Sequence, residues 1–472
     1  LAPGHAEPPA TPAEHQVAAI FTAILDRDHI SRDDNFFALG GTSIQAARAV
    51  LLLRSDVGVE VDLGTFYAAP AVADIAQAVE HARTAAAAQD DGQAAEIAEL
   101  ERRLAQARGE ARGQVTAAVT PALPPDGALP PRAGRRHAEI LLTGATGFFG
   151  AFLLEELLTR TSGVVHCLVR AATDAEGERR LRDNLRRYGR EYVAQDPRVR
   201  VVRGDLKRPR LGLAEAGYAA LASRLDTIVH AGAHVDLLLP YSGLEPANVG
   251  GTRSVIELAT AGALKEVHLV SSVSAAMGAG LDPGSFGYAV TKWRAELIAQ
   301  AARDRGVPIA IYRMPRLSGD SRTGVSNGND VVVRLVRSFQ QMGLAPEVTA
   351  VEEWIPVNFA ARTMIDTALS HPDGGLFVLQ PRGQVEIRRL IEFAAQTSPL
   401  VVKPPGEFIA DASQRFPEAA ELIGFVLGKS VAGYVVDDAG IGPFESVPAD
   451  GVSDDLLRRY LHMWAPEAGE LS

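Results

Sequence analysis

The chain has 472 residues, too many for one ordinary domain and enough for two or three, with 47% apolar residues, 22% charged residues and a net charge of -11. That acidity argues against nucleic acid or an anionic membrane surface as the principal partner. Its one cysteine, Cys167, excludes a disulfide framework and any multi-cysteine metal site, and fits a reducing, cytoplasmic setting.

No apolar run has the length of a membrane span, and no signal peptide is visible. Leu1 opens onto a Pro/Ala-rich run that reads as linker over residues 1–12, as in a piece of something larger. In "EHQVAAIFTAILD", Val17, Ile20, Phe21, Ile24 and Leu25 recur at helical spacing. A polar loop, a helix after Ser43, a short segment at "DLGTFYAAP" and a helix from Pro70 to about Arg83 complete a four-helix unit over 13–84. Residues 85–136 read as an interdomain linker, with one charged helix in "AAEIAELERRLAQAR" and a proline-rich stretch after it.

From residue 137 strands and helices alternate. "EILLTGAT", "VVHCLVR", "VRVVRGDL", "TIVHAGA" and "EVHLVSS" are short, nearly continuous apolar strands, as buried parallel strands are. The alternation predicts an α/β doubly wound parallel sheet, a Rossmann arrangement, over 137–345. The looser remainder, 346–472, is expected to form a smaller C-terminal substrate lobe closing a cleft.

Three motifs carry the chemistry. In "DNFFALGGTSIQAARAV", Ser43 follows Gly40, Gly41 and Thr42 at a helix start, where serine ordinarily caps the helix. The phrase as a whole resembles the peptidyl and acyl carrier domains of nonribosomal peptide and polyketide synthases. That resemblance implies a 4′-phosphopantetheine arm on Ser43, a phosphopantetheinyl transferase to install it, and upstream synthetase modules to load it. Such a serine needs exposure and a helix terminus suited to a phosphodiester rather than a base beside it.

The second motif, "GATGFFG", puts Gly144, Gly147 and Gly150 between a strand and a helix, with Thr146 and Phe148 interleaved. Glycines there permit a tight turn against a pyrophosphate at a helix N-terminus. Twenty residues beyond Gly150, where an NAD enzyme is expected to place an acid, stands Arg170. Arginine there favours a 2′-phosphate and hence NADPH, and Arg180 on the next helix is a candidate second clamp. "GDL", with Asp205 and Leu206, resembles the adenine-contacting segment of the same fold.

The third motif sets Tyr288 and Lys292 four apart in "YAVTK", with Ser271 and Ser272 ending a strand sixteen or seventeen residues earlier. The pattern resembles the extended short-chain dehydrogenase/reductase superfamily. There the lysine lowers the tyrosine pKa and holds the nicotinamide ribose, while tyrosine and serine polarise the carbonyl that is reduced. Alignment with that pattern selects Ser272, and Ser271 stays open. "VHAGAHVDLLLPYSGLEPANVGGT" and "RMPRLSGDSRTGVSNGND" narrow the resemblance to the thioester reductase domains that end certain peptide synthetases and to carboxylic acid reductases, over residues 138–380. Many relatives have Gly at Arg316 and Asp at Asn358, departures that bear on substrate choice.

Together the motifs imply NADPH-dependent reductive release of a carrier-bound acyl or peptidyl thioester as an aldehyde, with a second reduction to the alcohol left open. The rival readings are less complete. A thioesterase would need a G-x-S-x-G nucleophile elbow between a strand and a helix; the one such spacing, "GVSNG" at 324–328, lies in a polar Gly/Asn-rich run instead. A redox-inactive cyclase is expected to lack Tyr288, and a sugar epimerase would hardly follow a carrier. A docking scaffold with a degenerate Rossmann unit would not need so full a set of cofactor motifs.

Overall fold

The structure is a computed structural model. It describes residues 7–87 with gaps at 26, 28, 40–45, 47–48, 51, 54–56, 58–60, 62–65 and 67–68, then 129–464 without 135, 237–238, 279–286, 349, 406, 409–410 and 413–443. Ser43 and the charged segment at 96–110 therefore lie outside the described residues.

In the N-terminal unit, α1 (Pro12–Leu25) and α2 (Val72–Ala87) pack through Val17, Phe21 and Ile24 against Val72, Ile75 and Val79. Phe36 and Phe66 complete this core, each fully buried, with ring centroids 5.2 Å apart in an edge-on contact. The segment leading to the glycine pair is held at both ends. The Phe36 amide donates to the Pro70 carbonyl at 2.9 Å and the Val72 amide to the Asp34 carbonyl at 3.2 Å. The Asn35 side chain accepts from the Phe37 and Ala38 amides at 3.0 and 3.1 Å, a local turn suited to Asn.

The second unit is built on β1 (Glu139–Thr143), α3 (Phe148–Arg160), β2 (Val164–Val169), α4 (Asp174–Arg187), β3 (Val199–Arg203), α5 (Glu215–Arg224), β4 (Thr227–His230), α6 (Gly251–Thr260), β5 (Glu266–Ser272), α7 (Gly287–Asp304) and β6 (Ile309–Met314). After these come β7 (Arg316–Ser318), α8 (Val331–Met342), β8 (Leu344–Pro346), β9 (Val351–Glu352), β10 (Trp354–Pro356) and α9 (Val357–Ser370). The chain then runs through β11 (Gly375–Arg382), β12 (Val385–Glu386), α10 (Ile387–Thr397), β13 (Val401–Lys403), β14 (Glu445–Asp450) and α11 (Asp454–Trp464).

Among the described residues, eight strands form one parallel sheet in the order β14-β11-β6-β5-β4-β1-β2-β3. Strand alternation divides its apolar side chains between two cores. Ile140 and Leu142 join α3, α4 and α9 on one face, while Leu141 joins α5, α6 and α7 on the other. This is the doubly wound arrangement expected from the continuous apolar strands.

Two expected boundaries move. The division at residue 345 does not divide the sheet, because β11 pairs with β6 and β14 with β11. The apolar β11 adds to the sheet's open edge, and β14 adds in turn beside it. What remains apart is a smaller core of α8, α10 and α11 around Trp354 and Phe408, with the short pairs β7–β10, β8–β13 and β9–β12. The linker likewise ends before residue 136. Arg132 bridges Leu264 in parallel, the Leu264 amide donates to the Pro131 carbonyl at 2.9 Å, and the Ala133 amide donates to the Leu264 carbonyl at 3.0 Å. Arg136 then pairs with Glu266 at 2.6 Å. Residues 129–134 are thus a strap across the amino-terminal ends of the strands. Among the described residues no helix is long and apolar enough to cross a membrane.

The small core is fastened to the sheet by charge. Arg190, 3% exposed, donates to Asp320, fully buried, at 2.9 Å and to Glu155 at 3.1 Å, with its guanidinium 3.9 Å from the centroid of the Phe152 ring. Tyr460 of α11 donates to the Gly319 carbonyl at 2.6 Å, and Asn358 holds Ser321 by two bonds of 2.9 Å. Burial pushes the Asp320 carboxyl up, but Arg190, the Arg322 amide and Thr323 outweigh it and leave it below the ordinary aspartate value. Its stabilisation is complete above that ordinary value of about 4 and fades as pH falls through the lower native one. Asp320→Ala should cost about 3 kcal/mol, the size expected on stranding a buried arginine. Urea unfolding at pH 7 checks this, and the gap between variant and parent should close in acid.

Candidate active site

The glycine turn follows β1 because nothing larger fits there. Gly144 has φ +79°, and a Cβ on it would sit 2.7 Å from the Gly232 amide nitrogen, after β4. A Cβ on Gly150 would lie 2.0 Å from the Gly144 carbonyl oxygen, so the first turn of α3 sits directly on the glycine loop. Gly147 is the N-cap of α3 and makes no side-chain cap bond. The opening N–H groups of that helix therefore have no capping side chain, and they suit an anion.

Two side-chain clusters hold this turn. Thr143 Oγ1 meets His230 Nδ1 at 2.7 Å and accepts from the Gly232 amide at 3.0 Å, joining the ends of β1 and β4. Burial drives the His230 pKa down to about 3, with Lys292 adding to it, so this imidazole is a neutral hydrogen-bonding group. Asn184 Nδ2, from α4, donates to the Ala145 and Gly147 carbonyls at 3.2 and 3.1 Å. Thr146 is half-buried within the turn, and the Phe148 ring packs on Phe152 and Tyr188. A cradle that any Cβ would fill, below an uncapped helix start, fits the pyrophosphate of a dinucleotide.

At the next strand end, Arg170 is exposed and its carbonyl accepts from Arg180 Nη1 at 2.6 Å. Thr173 caps α4 by accepting from the Glu176 amide at 3.2 Å, which fixes the helix that carries Arg180. Both arginines therefore stand at the carboxyl end of β2. Beyond β3, Asp205 accepts from the Lys207 amide at 3.0 Å, and Leu206 packs against the bare faces of Gly232 and Gly251.

The third group converges at the end of β5. The Ser272 and Tyr288 side chains are hydrogen-bonded to each other, and Ser272 Oγ also meets Ser274 Oγ at 2.9 Å. Burial lifts the Tyr288 pKa to about 12, and the Ser272 bond pulls against it. Lys292 Nζ, one turn further along α7, donates to the Val270 carbonyl at 2.6 Å. Burial lowers its pKa to about 8, with Glu296 opposing the shift. Of the two adjacent serines, Ser271 turns to Glu296 at 2.5 Å, and Ser272 is the one facing the tyrosine.

Asn248 was not singled out from the sequence. It sits in a π-helical turn, Pro246–Gly250, and accepts from the His234 amide at 2.7 Å while donating to the His234 carbonyl and to Thr291 Oγ1, each at 3.1 Å. Thr291 in turn donates to the Tyr288 carbonyl at 2.8 Å, so Asn248 ties the loop after β4 to the start of α7. Its place in "EPANVGGT" was the available signal, as a buried asparagine on the Leu181–Leu185 stripe was for Asn184.

Arg316 and Asn358 are both engaged within the protein. Arg316 Nε pairs with Glu352 at 2.6 Å and its Nη1 with Asp330 at 3.3 Å, while Trp354 Nε1 donates to the same Glu352 at 2.8 Å.

A family model described as "Male sterility protein" matches residues 142–283 and 276–364, and one described as "Phosphopantetheine attachment site" matches 15–79. A linear gramicidin synthase of Brevibacillus parabrevis is 35% identical over 381 residues, 77% of this chain and 7% of that protein. The L-2-aminoadipate reductase of Eremothecium gossypii, in its large subunit, is 31% identical over 399 residues, 77% of this chain and 28% of that protein. The chain thus spans a small part of the curated relatives it matches. Among solved structures, the terminal R domain from the myxalamid PKS-NRPS biosynthetic pathway is 31% identical with TM-score 0.64, covering 75% of this chain and 97% of that one. A thiolation-reductase di-domain from an archaeal non-ribosomal peptide synthetase shares the fold along 98% of this chain and 99% of that one, with TM-score 0.58 and 18% identity.

The cradle makes a direct prediction. Asn184→Ala frees two loop carbonyls from their clamp and should weaken reduced-nicotinamide binding about tenfold, the size of one or two lost hydrogen bonds. Fluorescence titration checks it, with urea unfolding as the control for stability.

Proposed function

The chain belongs to the carrier-linked terminal reductase family of nonribosomal peptide synthetases, and we propose that it releases a carrier-bound acyl or peptidyl thioester reductively, with NADPH as donor. The observation that carries this reading is the meeting of Ser272, Tyr288 and Lys292 at one strand end, beside a glycine cradle and behind a carrier unit.

Gly144, Thr146, Gly147, Phe148 and Gly150 would hold the pyrophosphate along the backbone at the start of α3. Arg170 and Arg180 would take the 2′-phosphate, Asp205 and Leu206 the adenine end, and Lys292 the nicotinamide ribose. The bound cofactor supplies hydride to the carbonyl carbon. Ser272 and Tyr288 hydrogen-bond the thioester carbonyl oxygen, and Tyr288 gives it a proton as negative charge develops there. The product is a thiohemiacetal. Its collapse breaks the carbon–sulfur bond, returns the thiol to the arm and frees an aldehyde.

On this reading Ser43 bears the 4′-phosphopantetheine, a phosphopantetheinyl transferase installs it, and upstream synthetase modules load the cargo. Tethering keeps the cargo at high effective concentration near the cleft. Relatives bearing reductase names, the aminoadipate reductase among them, support the redox chemistry.

Three measurements test the reading. NADPH should be oxidised on adding an acyl-pantetheine thioester, and Tyr288→Phe should lower that turnover by about two to four decades; no oxidation by the parent protein would favour a docking scaffold. Ser43→Ala should abolish the mass gain on incubation with a phosphopantetheinyl transferase and coenzyme A. Arg170→Glu should weaken NADPH far more than NADH in a binding titration.

A further inference from the structure

Three consecutive residues of β5 each bond a different residue of α7. The Val270 carbonyl accepts from Lys292, Ser271 Oγ donates to Glu296, and Ser272 meets Tyr288. Two of these contacts belong to the site described above. The middle one does not, and it is the most deeply buried.

Glu296 and Arg313 are both fully buried. Arg313 grips the carboxylate as a fork, with Nε to Oε1 at 3.1 Å and Nη2 to Oε2 at 2.8 Å. Ser271 supplies a third bond, to Oε1 at 2.5 Å. Ser271 and Arg313 are register partners on β5 and β6, so one carboxylate of α7 ties the helix to two neighbouring strands at one level. The far side of the guanidinium is closed by the Phe444 ring, 3.9 Å away, just before β14. A buried ion pair of this kind is no more stabilising than apolar residues of the same volume. What it adds is a fixed position. Apolar side chains slide past one another at little cost, whereas a forked carboxylate fixes its helix in both height and rotation.

We propose that Glu296, clamped by Arg313 and Ser271, is a positioning residue for the reduction: it sets the height of α7 on the sheet, and so the meeting of Tyr288 with Ser272 and the seat of Lys292. Glu296 lies one turn from Lys292 and two turns from Tyr288 along one stripe of the helix. A shift of α7 by a fraction of an ångström would open the Tyr288–Ser272 contact without touching the cofactor cradle on β1. Glu296 also acts through charge. Burial disfavours the Lys292 ammonium and the Glu296 carboxylate favours it, so the carboxylate helps keep the lysine protonated. The alkaline limb of the parent's kcat/KM profile should therefore lie near pH 8, with burial lowering and Glu296 raising the point at which Lys292 loses its proton.

This inference rests on the catalytic reading of Ser272, Tyr288 and Lys292, and the experiment separates the two. In the full chain, with a free acyl-pantetheine thioester, Glu296→Gln keeps the shape and removes the charge. It should lower kcat at least tenfold, leave NADPH affinity within about twofold, and move the alkaline limb to lower pH. Ser271→Ala keeps the charge and removes one bond, so it should lower kcat with the alkaline limb unmoved. Should Glu296→Gln fail to fold because Arg313 is stranded, the double variant Glu296→Leu with Arg313→Met replaces the pair by apolar volume. It should unfold cooperatively near the parent's stability yet remain at least tenfold slower. Parental kcat and pH profile in Glu296→Gln, or parental kcat in the double variant, would overturn the proposal. If Tyr288→Phe and Lys292→Ala also turn over normally, the catalytic reading has failed. If those two are inactive while the Glu296 variants are unimpaired, only the positioning role is lost.

Discussion

The parallel pairing of the sheet is the constraint from which the site follows. Parallel strands need both faces covered and every connection returned across a helix, so all the loops that follow strands gather at one edge. Gly144 after β1, Arg170 after β2, Asp205 after β3 and Ser272 at the end of β5 are successive answers to that one geometry. The close approach of β1 to β4 is its tightest point. There Gly144 and Gly232 meet backbone to backbone, and Thr143 and His230 lock the two strand ends together. The glycine cradle and the Ser272–Tyr288 pair can then be held on rigid elements.

Much of this was legible in the sequence because it depends on short-range pattern. The glycine spacing, the Tyr288–Lys292 interval and the apolar strands each need only a few neighbouring residues to be recognised. The choice between Ser271 and Ser272 was not settled that way, because both reach α7 and only the fold shows that Ser271 meets Glu296 while Ser272 meets Tyr288. The sheet's last two strands were also missed, since nothing in "GLFVLQP" or in residues 445–450 says that they pair with β6 and with each other across so long a stretch of chain. Asn184 and Asn248 show the same limit. An asparagine bonded to backbone carbonyls and amides across the fold looks, in sequence, like any polar residue on a helix.

The arrangement of charge has a common logic. Arg190 with Asp320 and Glu155, Arg313 with Glu296, and Arg316 with Glu352 and Asp330 each join different elements of the fold. The forked guanidinium suits this use, since it fixes direction as well as distance. The first ties the loop after β7 to α3 and the loop after α4, the second seats α7 on β6, and the third binds β7, β9 and the start of α8 to one another. Arg316 and Asn358 are both engaged internally, the first with Glu352 and the second with Ser321.

The strap at residues 129–134 crosses the sheet at the edge opposite the chemistry. A strand of five to seven residues is about 20 Å long, so the strap, bonded just before β5, and Ser272, at the end of β5, stand about that far apart. Residues 88–128 lie between α2 and the strap, and a chain of that length can reach well over 100 Å when extended. Anchored at the strap, the chain enters the sheet domain on the side away from Ser272 and Tyr288, and residues 129–134 leave the loops that follow the strands uncrossed.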